Sequence, residues 1–357
     1  MGEEAGPPKG RAEPVRAARR SRAEPRVGLV YDLLGTAPAG PDAPPDADAE
    51  YEPEDTVVLL EEALRRAGAE PVRLGSPREL LAAVGGGTLP PLEAALSIAE
   101  GYGTRNREAW APVLLEMAGV PGLGSDALTL SLSLDKAWTH AVVAAAGVAV
   151  PEHAVAHSAE EARALVLPAP FPLFVKPRWE GTAKGLLPSS RVGDREALAR
   201  EVARVVRDYG QPALVERFLP GAEYTVTVVG HDPPRALPVM QRALEAATGI
   251  GLHALDRAAV PAPADGWRHV TPGHLDAALE ERLAGLALRA HAALGCRDFS
   301  RTDLRLDDDG APRFLEVNPL PTFARDGTFG ILAEWQGRAL EDLVAEVLQG
   351  ALRRVLA

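Results

Sequence analysis

The sequence predicts a protein that mixes α/β and α+β organisation over several domains. At 357 residues, the chain exceeds the size at which one hydrophobic core stops growing, so two or three domains are expected. Short apolar strands alternate with helices in the first part, and strands dominate later, from Glu223 to Met240. Hydrophobic residues make up 46% of the chain, which is ordinary for a globular protein with sizeable cores.

Composition excludes several classes of function. The formal net charge is -12, which gives a nucleic-acid partner no general electrostatic support. Cys296 is the single cysteine, so no internal disulfide can form and no zinc-site spacing occurs. A reducing, cytoplasmic location is therefore expected. No apolar run approaches the roughly 20 residues needed to span a bilayer, so no membrane partner is expected.

The first part of the chain predicts a tail and an open α/β domain. Residues 1–25 are rich in Gly, Pro, Ala and Arg without a hydrophobic period, which is typical of a disordered tail. Residues 26–125 alternate strands with helices, as an N-terminal α/β domain does. The predicted elements are a strand at Arg26–Tyr31, a helix at Thr56–Ala67 ending at Gly68, a strand at Glu93–Ile98 and a helix at Arg107–Ala118.

Two further units are expected after the first. Residues 126–215 predict a small central domain, and residues 216–357 predict a C-terminal α+β domain with an antiparallel sheet. The central elements are helices at Ser133–Ala146 and Asp194–Tyr209, and strands at Glu152–His157, Phe171–Lys176 and Ala213–Glu216. The C-terminal elements are strands within Glu223–Met240, a helix at His274–Leu294, a hairpin over 299–318 and a helix from about Leu332.

The hairpin over residues 299–318 is the most informative segment. Asp309-Gly310 between two alternating runs is a strong signal for a two-residue hairpin turn. That turn pairs Asp303 with Glu316 and Arg301 with Asn318. Since strand side chains alternate between faces, these four side chains are expected on one face of the sheet.

A metal site follows from that register. Directly opposed residues have Cβ atoms about 5 Å apart, and two carboxylates so close repel each other unless a cation lies between them. Carboxylates with a carboxamide oxygen suit Mg²⁺. The alternative is a surface hairpin with solvated charges, which accounts well for Asp307, Asp308 and Asp309 but poorly for Asp303 and Glu316.

A second polar segment, Phe174 to Gly185, carries Lys176 at a strand end and then a flexible loop with Thr182 and Lys184. Loop amides and lysines offer hydrogen-bond donors to an anion such as a phosphate. The segment lacks the Gly-Lys-Ser/Thr pattern of a P-loop. An ordinary surface loop is the alternative.

The order of these motifs resembles that of the ATP-grasp fold. The lysine loop comes first, then Glu216-Arg217-Phe218-Leu219-Pro220-Gly221-Ala222-Glu223, and last the Arg-x-Asp hairpin with Glu-x-Asn. The family that the chain resembles is the D-alanine–D-alanine ligases and their relatives. Asp135-Lys136 and the segment Ile98 to Gly101, followed by Arg107-Glu108, also look like that family. The resemblance covers nearly all of the chain after Val27 and implies the three-domain ATP-grasp architecture.

The resemblance implies roles for individual residues. The ATP-binding residues would be Lys136 and Lys176 on the phosphates, Glu216 and Leu219 on adenine and Glu223 on the ribose. The ligands of two Mg²⁺ ions would be Asp303, Glu316 and Asn318. The residues around the reacting carboxyl would be Arg301 on the oxyanion, Thr182, which stands where the family has a substrate-orienting serine, and Glu52 or Glu54 on the substrate's amino group, with Glu54 as the chosen candidate.

The implied chemistry is ATP-dependent amide formation. A carboxylate would attack the γ-phosphate of ATP to give an acyl phosphate, and the amine of a second substrate would then attack the acyl carbon. The products are an amide, ADP and phosphate. Because water must be kept from the acyl phosphate, the loop at 178–186 is expected to close as a lid. The expected partners are small amino-acid or peptide substrates, and the resemblance suggests a homodimer.

Two departures from the family pattern fall on substrate recognition. The stretch Gln241 to Pro263 lacks the family's lysine–tyrosine pair, and Pro319 to Thr328 replaces its serine-rich segment. A product other than D-alanyl-D-alanine is therefore expected. The alternatives are a D-alanine–D-alanine ligase of peptidoglycan synthesis with a divergent loop, an ATP-grasp carboxylase or acid–thiol ligase, and a catalytically silent ATP-binding regulator.

Overall fold

A computed structural model of the chain describes residues 24–37, 40, 43–242, 244 and 275–357. Nearly all of the predicted tail, residues 1–23, lies outside this part. So does most of the predicted substrate loop, residues 243 and 245–263. No helix in the described part is long and apolar enough to cross a membrane.

The first sheet is parallel and open, as predicted for the N-terminal part. Its strands are β1 (Arg26–Val30), β2 (Glu70–Gly75), β3 (Ala94–Ser97) and β4 (Gly122–Leu123), in the order β2-β1-β3-β4. The helices beside it are α1 (Glu54–Arg66), α2 (Pro77–Gly85) and α3 (Trp110–Met117). Sequence analysis missed β2 and α2. The helix α2 begins at a capping box in which Ser76 and Glu79 satisfy each other's backbone amides.

The helix predicted at Ser133–Ala146 begins three residues later than expected. It is α5 (Lys136–Ala145), and a separate helix that was not predicted, α4 (Ala127–Leu134), comes before it. Asp135 divides them, because its backbone is extended (ψ 94°) and its carboxylate accepts a hydrogen bond from the amide of Trp138. Such a cap satisfies an amide that has no partner within the helix. The break makes Lys136 the first residue of α5.

The second sheet is antiparallel and covered by two helices. Its strands are β5 (His153–Ala156), β6 (Leu173–Pro177), β7 (Arg191–Val192) and β8 (Ala213–Arg217), in the order β5-β8-β6-β7. The helices α6 (Ala159–Ala164) and α7 (Arg195–Tyr209) share one hydrophobic core with it. The carboxylate of Asp194 caps α7 at its start, and Gly210 ends it in the left-handed conformation that glycine adopts without strain.

The third sheet is also antiparallel. Its strands are β9 (Glu223–Val229), β10 (Arg235–Ala236), β11 (Met240–Arg242), β12 (Phe299–Leu306) and β13 (Pro312–Asn318). The order is β10-β9-β12-β13, and β11 also pairs with β9. The helix α8 (Ala277–Ala293) packs in the same hydrophobic core as this sheet.

The hairpin of β12 and β13 has the predicted register at the site but a different turn. Arg301 pairs with Asn318 and Asp303 with Glu316. The two-residue turn at Asp309-Gly310 was wrong, since the connection spans residues 307–311. There the carboxylate of Asp307 accepts hydrogen bonds from the amides of residues 309 and 311. A bulge beyond Asp303 shifts the register by one residue, and this shift compensates for the longer turn.

The chain ends in two helices instead of the one expected from about Leu332. They are α9 (Thr328–Trp335) and α10 (Leu340–Leu356), and Gly337, in a left-handed conformation (φ 64°), lies in the short connection between them. Both helices belong to the hydrophobic core of the first sheet, where Leu343 and Leu348 of α10 join Leu60 of α1. The predicted domain limits at 125/126 and 215/216 stay predictions.

Candidate active site

A cavity of about 560 Å³ brings together side chains of the second and third sheets and of the segment between β1 and α1. This volume is in the range of pockets that bind cofactor-sized ligands. Of the predicted site residues, Lys136, Thr182, Lys176, Glu216, Leu219, Glu223, Arg301, Asp303 and Glu316 line it. Three segments that lie far apart in the sequence therefore meet here: the lysine loop that follows β6, the segment at the end of β8, and the hairpin of β12 and β13.

Two lysines and an arginine converge on one partly buried carboxylate. The ammonium of Lys136 lies 3.3 Å from Glu316 Oε2, and the buried ammonium of Lys176 lies 2.8 Å from Glu216 Oε1. Burial alone would raise the pKa of Glu316, but the charges of Lys136, Lys176 and Arg301 lower it to about 2. This corner of the cavity therefore holds an ionised carboxylate beside fixed cations, and the lysine ammonium groups are donors of the kind that bind the phosphates of a nucleotide.

The end of β8 and the segment after it form a wall with an unused hydrogen-bond acceptor. Glu216 Oε2 is buried and has no hydrogen bond within the described part of the chain. Leu219 is buried beside it, and Glu223 at the start of β9 accepts a long hydrogen bond from Arg305, at 3.4 Å. Since a buried acceptor without a donor is costly, Glu216 Oε2 is suited to a donor on a ligand, such as an exocyclic amine.

The predicted metal ligands fall into two places. Asp303 and Glu316 line the large cavity. Asn318 lines a smaller adjoining one, where its side-chain oxygen accepts a hydrogen bond of 2.9 Å from the amide of Leu320. No group of three or more His, Cys, Asp or Glu side chains in the described ranges could hold a metal ion by itself. Two carboxylates and a carboxamide fit Mg²⁺, which usually takes one or two protein carboxylates and completes its shell with phosphates and water.

Arginines neutralise Asp303 in the structure. Arg242 Nη1 and Arg301 Nη2 each lie 3.1 Å from Asp303 Oδ2, and Thr225 donates its hydroxyl to the other oxygen. Arg242 also approaches Glu223, at 3.6 Å from Nε. Sequence analysis missed Arg242, because its position depends on the short edge strand β11, and no local pattern signals that strand.

The loop at 178–186 is held against the segment before α1. The amide of Gly181 and the ammonium of Lys184 both donate to Glu50, and the amide of Gly185 donates to Asp46 at 2.9 Å. Thr182, predicted to orient the substrate, has a left-handed backbone (φ 47°) and lines both cavities. Sequence analysis missed Glu50 and Asp46, since a loop rich in Pro and Asp carries no periodic signal.

The structure corrects the choice of Glu54 as a residue of the site. Its carboxylate pairs with Arg73, its side chain is half exposed, and it does not line the cavity. Glu52, the other residue considered, lines the cavity and accepts a hydrogen bond of 3.0 Å from the Thr56 hydroxyl. Burial raises the pKa of Glu52, opposed by hydrogen bonds from Thr322 and Thr56. Glu54 stands two positions after Glu52 and begins α1, so its side chain points away from the cavity.

Comparison with known proteins agrees with this arrangement. A family model described as the D-ala D-ala ligase C-terminus matches residues 142–349. The chain is 34% identical over 243 residues to a D-alanine–D-alanine ligase of Desulforudis audaxviator, and the match covers 68% of this chain and 76% of that protein.

Solved structures show the same fold. The VanG D-Ala:D-Ser ligase of Enterococcus faecalis superposes with a TM-score of 0.68 at 17% identity, over 92% of this chain and 99% of that one. A D-alanine–D-alanine ligase of Bacillus anthracis complexed with ATP gives 0.67 at 20% identity, over 93% and 99%. The predicted resemblance and fold class are confirmed. The chain belongs to the D-alanine–D-alanine ligase family and is an enzyme, an ATP-dependent ligase of the ATP-grasp fold.

Proposed function

We propose that the enzyme activates the carboxylate of one amino-acid substrate and joins it to the amine of a second amino acid or peptide, giving a product other than D-alanyl-D-alanine. The observation that carries the proposal is that three cations, Lys136, Lys176 and Arg301, line one nucleotide-sized cavity, each paired with an acidic side chain that lines the same cavity. A cluster of fixed cations around a hard-ligand carboxylate suits the transfer of a phosphoryl group to a carboxylate.

Nucleotide binding is assigned to the side of the cavity that contains β6 and the end of β8. Lys136 and Lys176 would hold the phosphates, Glu216 and Leu219 the adenine, and Glu223 the ribose. Asp303, Glu316 and Asn318 would hold two Mg²⁺ ions, which neutralise charge on the phosphoryl oxygens when bound. Arg242 and Arg301 pair with Asp303 in the structure, so a cation bound by Asp303 would compete with them.

The reaction then proceeds in two steps. The substrate carboxylate attacks the γ-phosphorus, the bond to ADP breaks, and an acyl phosphate forms. The free amine of the second substrate attacks the acyl carbon, phosphate leaves, and the amine loses its extra proton. Arg301 lies on the cavity wall where it can stabilise the oxyanion of the tetrahedral intermediate, and Thr182 can orient the first substrate. The clamped loop keeps water from the acyl phosphate.

The acceptor side supports a product different from D-alanyl-D-alanine. Thr322, Ala324 and Asp326 line the cavity within the segment that departs from the family's serine-rich pattern. Arg325, considered as a grip for an acceptor carboxylate, is exposed, pairs with Glu341 and does not line the cavity. The D-Ala:D-Ser ligase of Enterococcus faecalis, which has the same fold, is named for an acceptor other than D-alanine.

A D-alanine–D-alanine ligase with a divergent loop is the second candidate, because the relative from Desulforudis audaxviator carries that name. Synthesis of D-alanyl-D-alanine at the rate of a dedicated enzyme would overturn the proposed product and leave the ligase chemistry standing. A cytoplasmic location and a homodimer are proposals that rest on the sequence alone. Sedimentation of the purified chain tests the second.

The test is phosphate release with Mg·ATP across amino acids, amino-acid pairs and small acids, with mass spectrometry of the products. Release that depends on a substrate pair and yields an amide is expected. Asp303→Ala is expected to lower turnover at least about 100-fold, since it removes a group that acts on the transferred phosphoryl. Asp308→Ala, on the exposed turn of the same hairpin, is the matched control. ATP binding with no release for any pair would contradict the proposal.

A further inference from the structure

One arginine that lines the large cavity, Arg242, has been given no part in the reaction proposed above. It ends β11 and pairs with Glu223 across β9, and Thr225, two positions further along β9, pairs with Asp303 of β12. Since strand side chains alternate between faces, Glu223 and Thr225 point to the same face of the third sheet, and all four residues line the cavity. Arg242 therefore lies beside the residue proposed for the ribose and beside one proposed for the metal.

The guanidinium of Arg242 is held by two carboxylates. Its Nη1 lies 3.1 Å from Asp303 Oδ2, and its Nε lies 3.6 Å from Glu223 Oε1. The side chain is only 18% exposed. Burial acts to lower the pKa of Arg242, but the charges of Asp303 and Glu223 outweigh burial and raise this pKa above its ordinary value. The group is therefore a permanent cation, and it needs an anionic partner in every state of the site.

Each of the two carboxylates has a second cation besides Arg242. Arg301 Nη2 also lies 3.1 Å from Asp303 Oδ2. Glu223 Oε2 lies 3.4 Å from Arg305 Nη1. Both carboxylates thus keep a cationic partner when Arg242 moves away, so its departure leaves neither of these buried anions unpaired. The structure therefore allows Arg242 to change partners without disrupting the rest of the sheet face.

Binding of Mg·ATP would claim both partners of Arg242. A divalent ion held by Asp303 takes up its oxygens and repels a guanidinium at the same atom, and ribose hydroxyls that donate to Glu223 would compete with the contact of 3.6 Å. The anion that arrives with the nucleotide is its phosphate chain, which joins the ribose to the metal-bound phosphates and so passes beside Arg242. A guanidinium binds phosphate oxygens through parallel N–H groups held in a fixed fork.

We propose that Arg242 exchanges Asp303 and Glu223 for phosphate oxygens when Mg·ATP binds, and that it is a further catalytic residue which makes the binding of metal and nucleotide depend on each other. The assignment rests on the proposed ligase function. A metal ion alone must displace Arg242 from Asp303 and leaves it with the longer contact to Glu223, whereas metal and nucleotide together supply the phosphate chain as a new partner. Each ligand therefore favours the other, and the enzyme takes up the pair as a unit.

The experiment compares two ligands whose affinities should change in opposite directions. In Arg242→Gln, the affinity for a non-hydrolysable ATP analogue with Mg²⁺ present is expected to fall about 10- to 100-fold, since a charge-assisted contact is lost. The affinity for Mn²⁺ without nucleotide is expected to rise about tenfold, since a competing cation is removed. Adenosine has no phosphate, so its affinity should stay unchanged. Calorimetry measures binding of the analogue and of adenosine, and electron paramagnetic resonance measures free Mn²⁺.

Two further variants separate this role from a structural one. Arg235→Gln, on the short strand β10 of the same sheet and paired with Glu346, is the matched control and should change neither affinity. Arg242→Lys keeps the charge but loses the fork, so it should lower the affinity for the analogue about 3- to 10-fold and leave that for adenosine unchanged. This variant decides the question if Arg242→Gln fails to fold.

Each result bears on one of two proposals. An unchanged affinity for the analogue in either variant of Arg242 would overturn the exchange of partners while the ligase function stands. Weaker binding of Mn²⁺ by Arg242→Gln would do the same, because a residue that only supports the sheet would weaken both ligands when it is removed. No binding of the analogue by the wild-type chain would overturn the nucleotide assignment on which the ligase function rests.

Discussion

Two glutamates of the site, Glu108 and Glu316, show how much the surroundings decide at the scale of one residue. Both line the same small cavity. Three cations, Lys136, Lys176 and Arg301, hold the pKa of Glu316 at about 2, whereas burial with little compensation raises that of Glu108 to about 8. The first is therefore an anion at all working pH values, and the second holds its proton more tightly than a free glutamate does.

The raised pKa of Glu108 predicts how stability changes with pH. Its folded-state value lies above its ordinary value of 4.5, so the folded state holds the proton more tightly than the unfolded state. The resulting stability is complete below about pH 4.5 and is lost as the pH rises through about 8. Glu108→Gln should abolish this contribution, and wild type and variant should diverge by about 2–5 kcal/mol over that range.

Urea unfolding at a series of pH values measures this difference. Glu116→Gln, which changes an exposed carboxyl, should keep the wild-type slope. Parallel curves for wild type and Glu108→Gln would show that Glu108 is ionised normally in the folded protein.

Arg242 predicts the metal affinity of the site. Its guanidinium lies where it neutralises both Asp303 and Glu223, so it competes with any cation that binds there. Arg242→Gln should raise the affinity for Mn²⁺ without nucleotide by about tenfold. Electron paramagnetic resonance of free Mn²⁺ measures it. Arg235→Gln, on the neighbouring short strand and paired with Glu346 away from the site, should leave the affinity unchanged. The same affinity in both variants would contradict the competition.

At the scale of the element, the loop over 178–186 is a lid held by its backbone. Asp46 accepts hydrogen bonds from the amide of Gly185 and from the hydroxyl of Tyr209 at the end of α7, both at 2.9 Å. Glu50 holds the other end through Gly181 and Lys184. The lid is thus fixed to the segment before α1 at two points. Its closure therefore depends on contacts between the segment that follows β1 and the loop that follows β6.

Tyr209→Phe tests that attachment. It removes one hydrogen bond of about 0.5–1.5 kcal/mol, so the lid should open about 2- to 10-fold more often. More acyl phosphate should then be lost to water, and phosphate released per amide formed should rise. A phosphate assay beside product mass spectrometry gives this ratio, and hydrogen exchange of residues 178–186 reports opening. Tyr31→Phe, whose hydroxyl makes no hydrogen bond among the described residues, is the control. An unchanged ratio and unchanged exchange would mean that the lid does not depend on Asp46.

The elements also show what a sequence can predict and what it cannot. The register of Asp303 and Glu316 was predicted correctly although the turn was wrong, because the bulge and the longer loop offset each other by one residue. The helix α4 was missed, because leucine and alanine continue on both sides of Asp135 and only the cap marks the break. Glu50 and Arg242 were missed because their positions depend on contacts with distant segments.

At the scale of the whole molecule, the last helix, α10, packs in the hydrophobic core of the first sheet. Leu343, Leu348 and Leu352 of α10 are buried with Leu60 and Leu64 of α1. The motifs of the site could be recognised in order along the chain, since each is local. The return of α10 to the first sheet could not be predicted, since an amphipathic helix specifies a buried face but not its partner.

Leu348→Ala tests this packing. The side chain is fully buried, so the variant should lose about 2–5 kcal/mol of unfolding free energy. Leu356→Ala, in the same helix but 43% exposed, should change it by no more than about 0.5 kcal/mol. Urea unfolding gives both values. Equal effects of the two substitutions would show that α10 adds little to the core of the first sheet.

The docking of α10 on the first sheet bears on how the protein folds during synthesis. The strand β1 leaves the ribosome well before the helix that covers its core, which is made about 300 residues later. Since translation adds about 5–20 residues per second, β1 and α1 expose an apolar face for many seconds before α10 is made. The second sheet has a core made from one continuous stretch of chain, so it can fold before the core of the first sheet is complete.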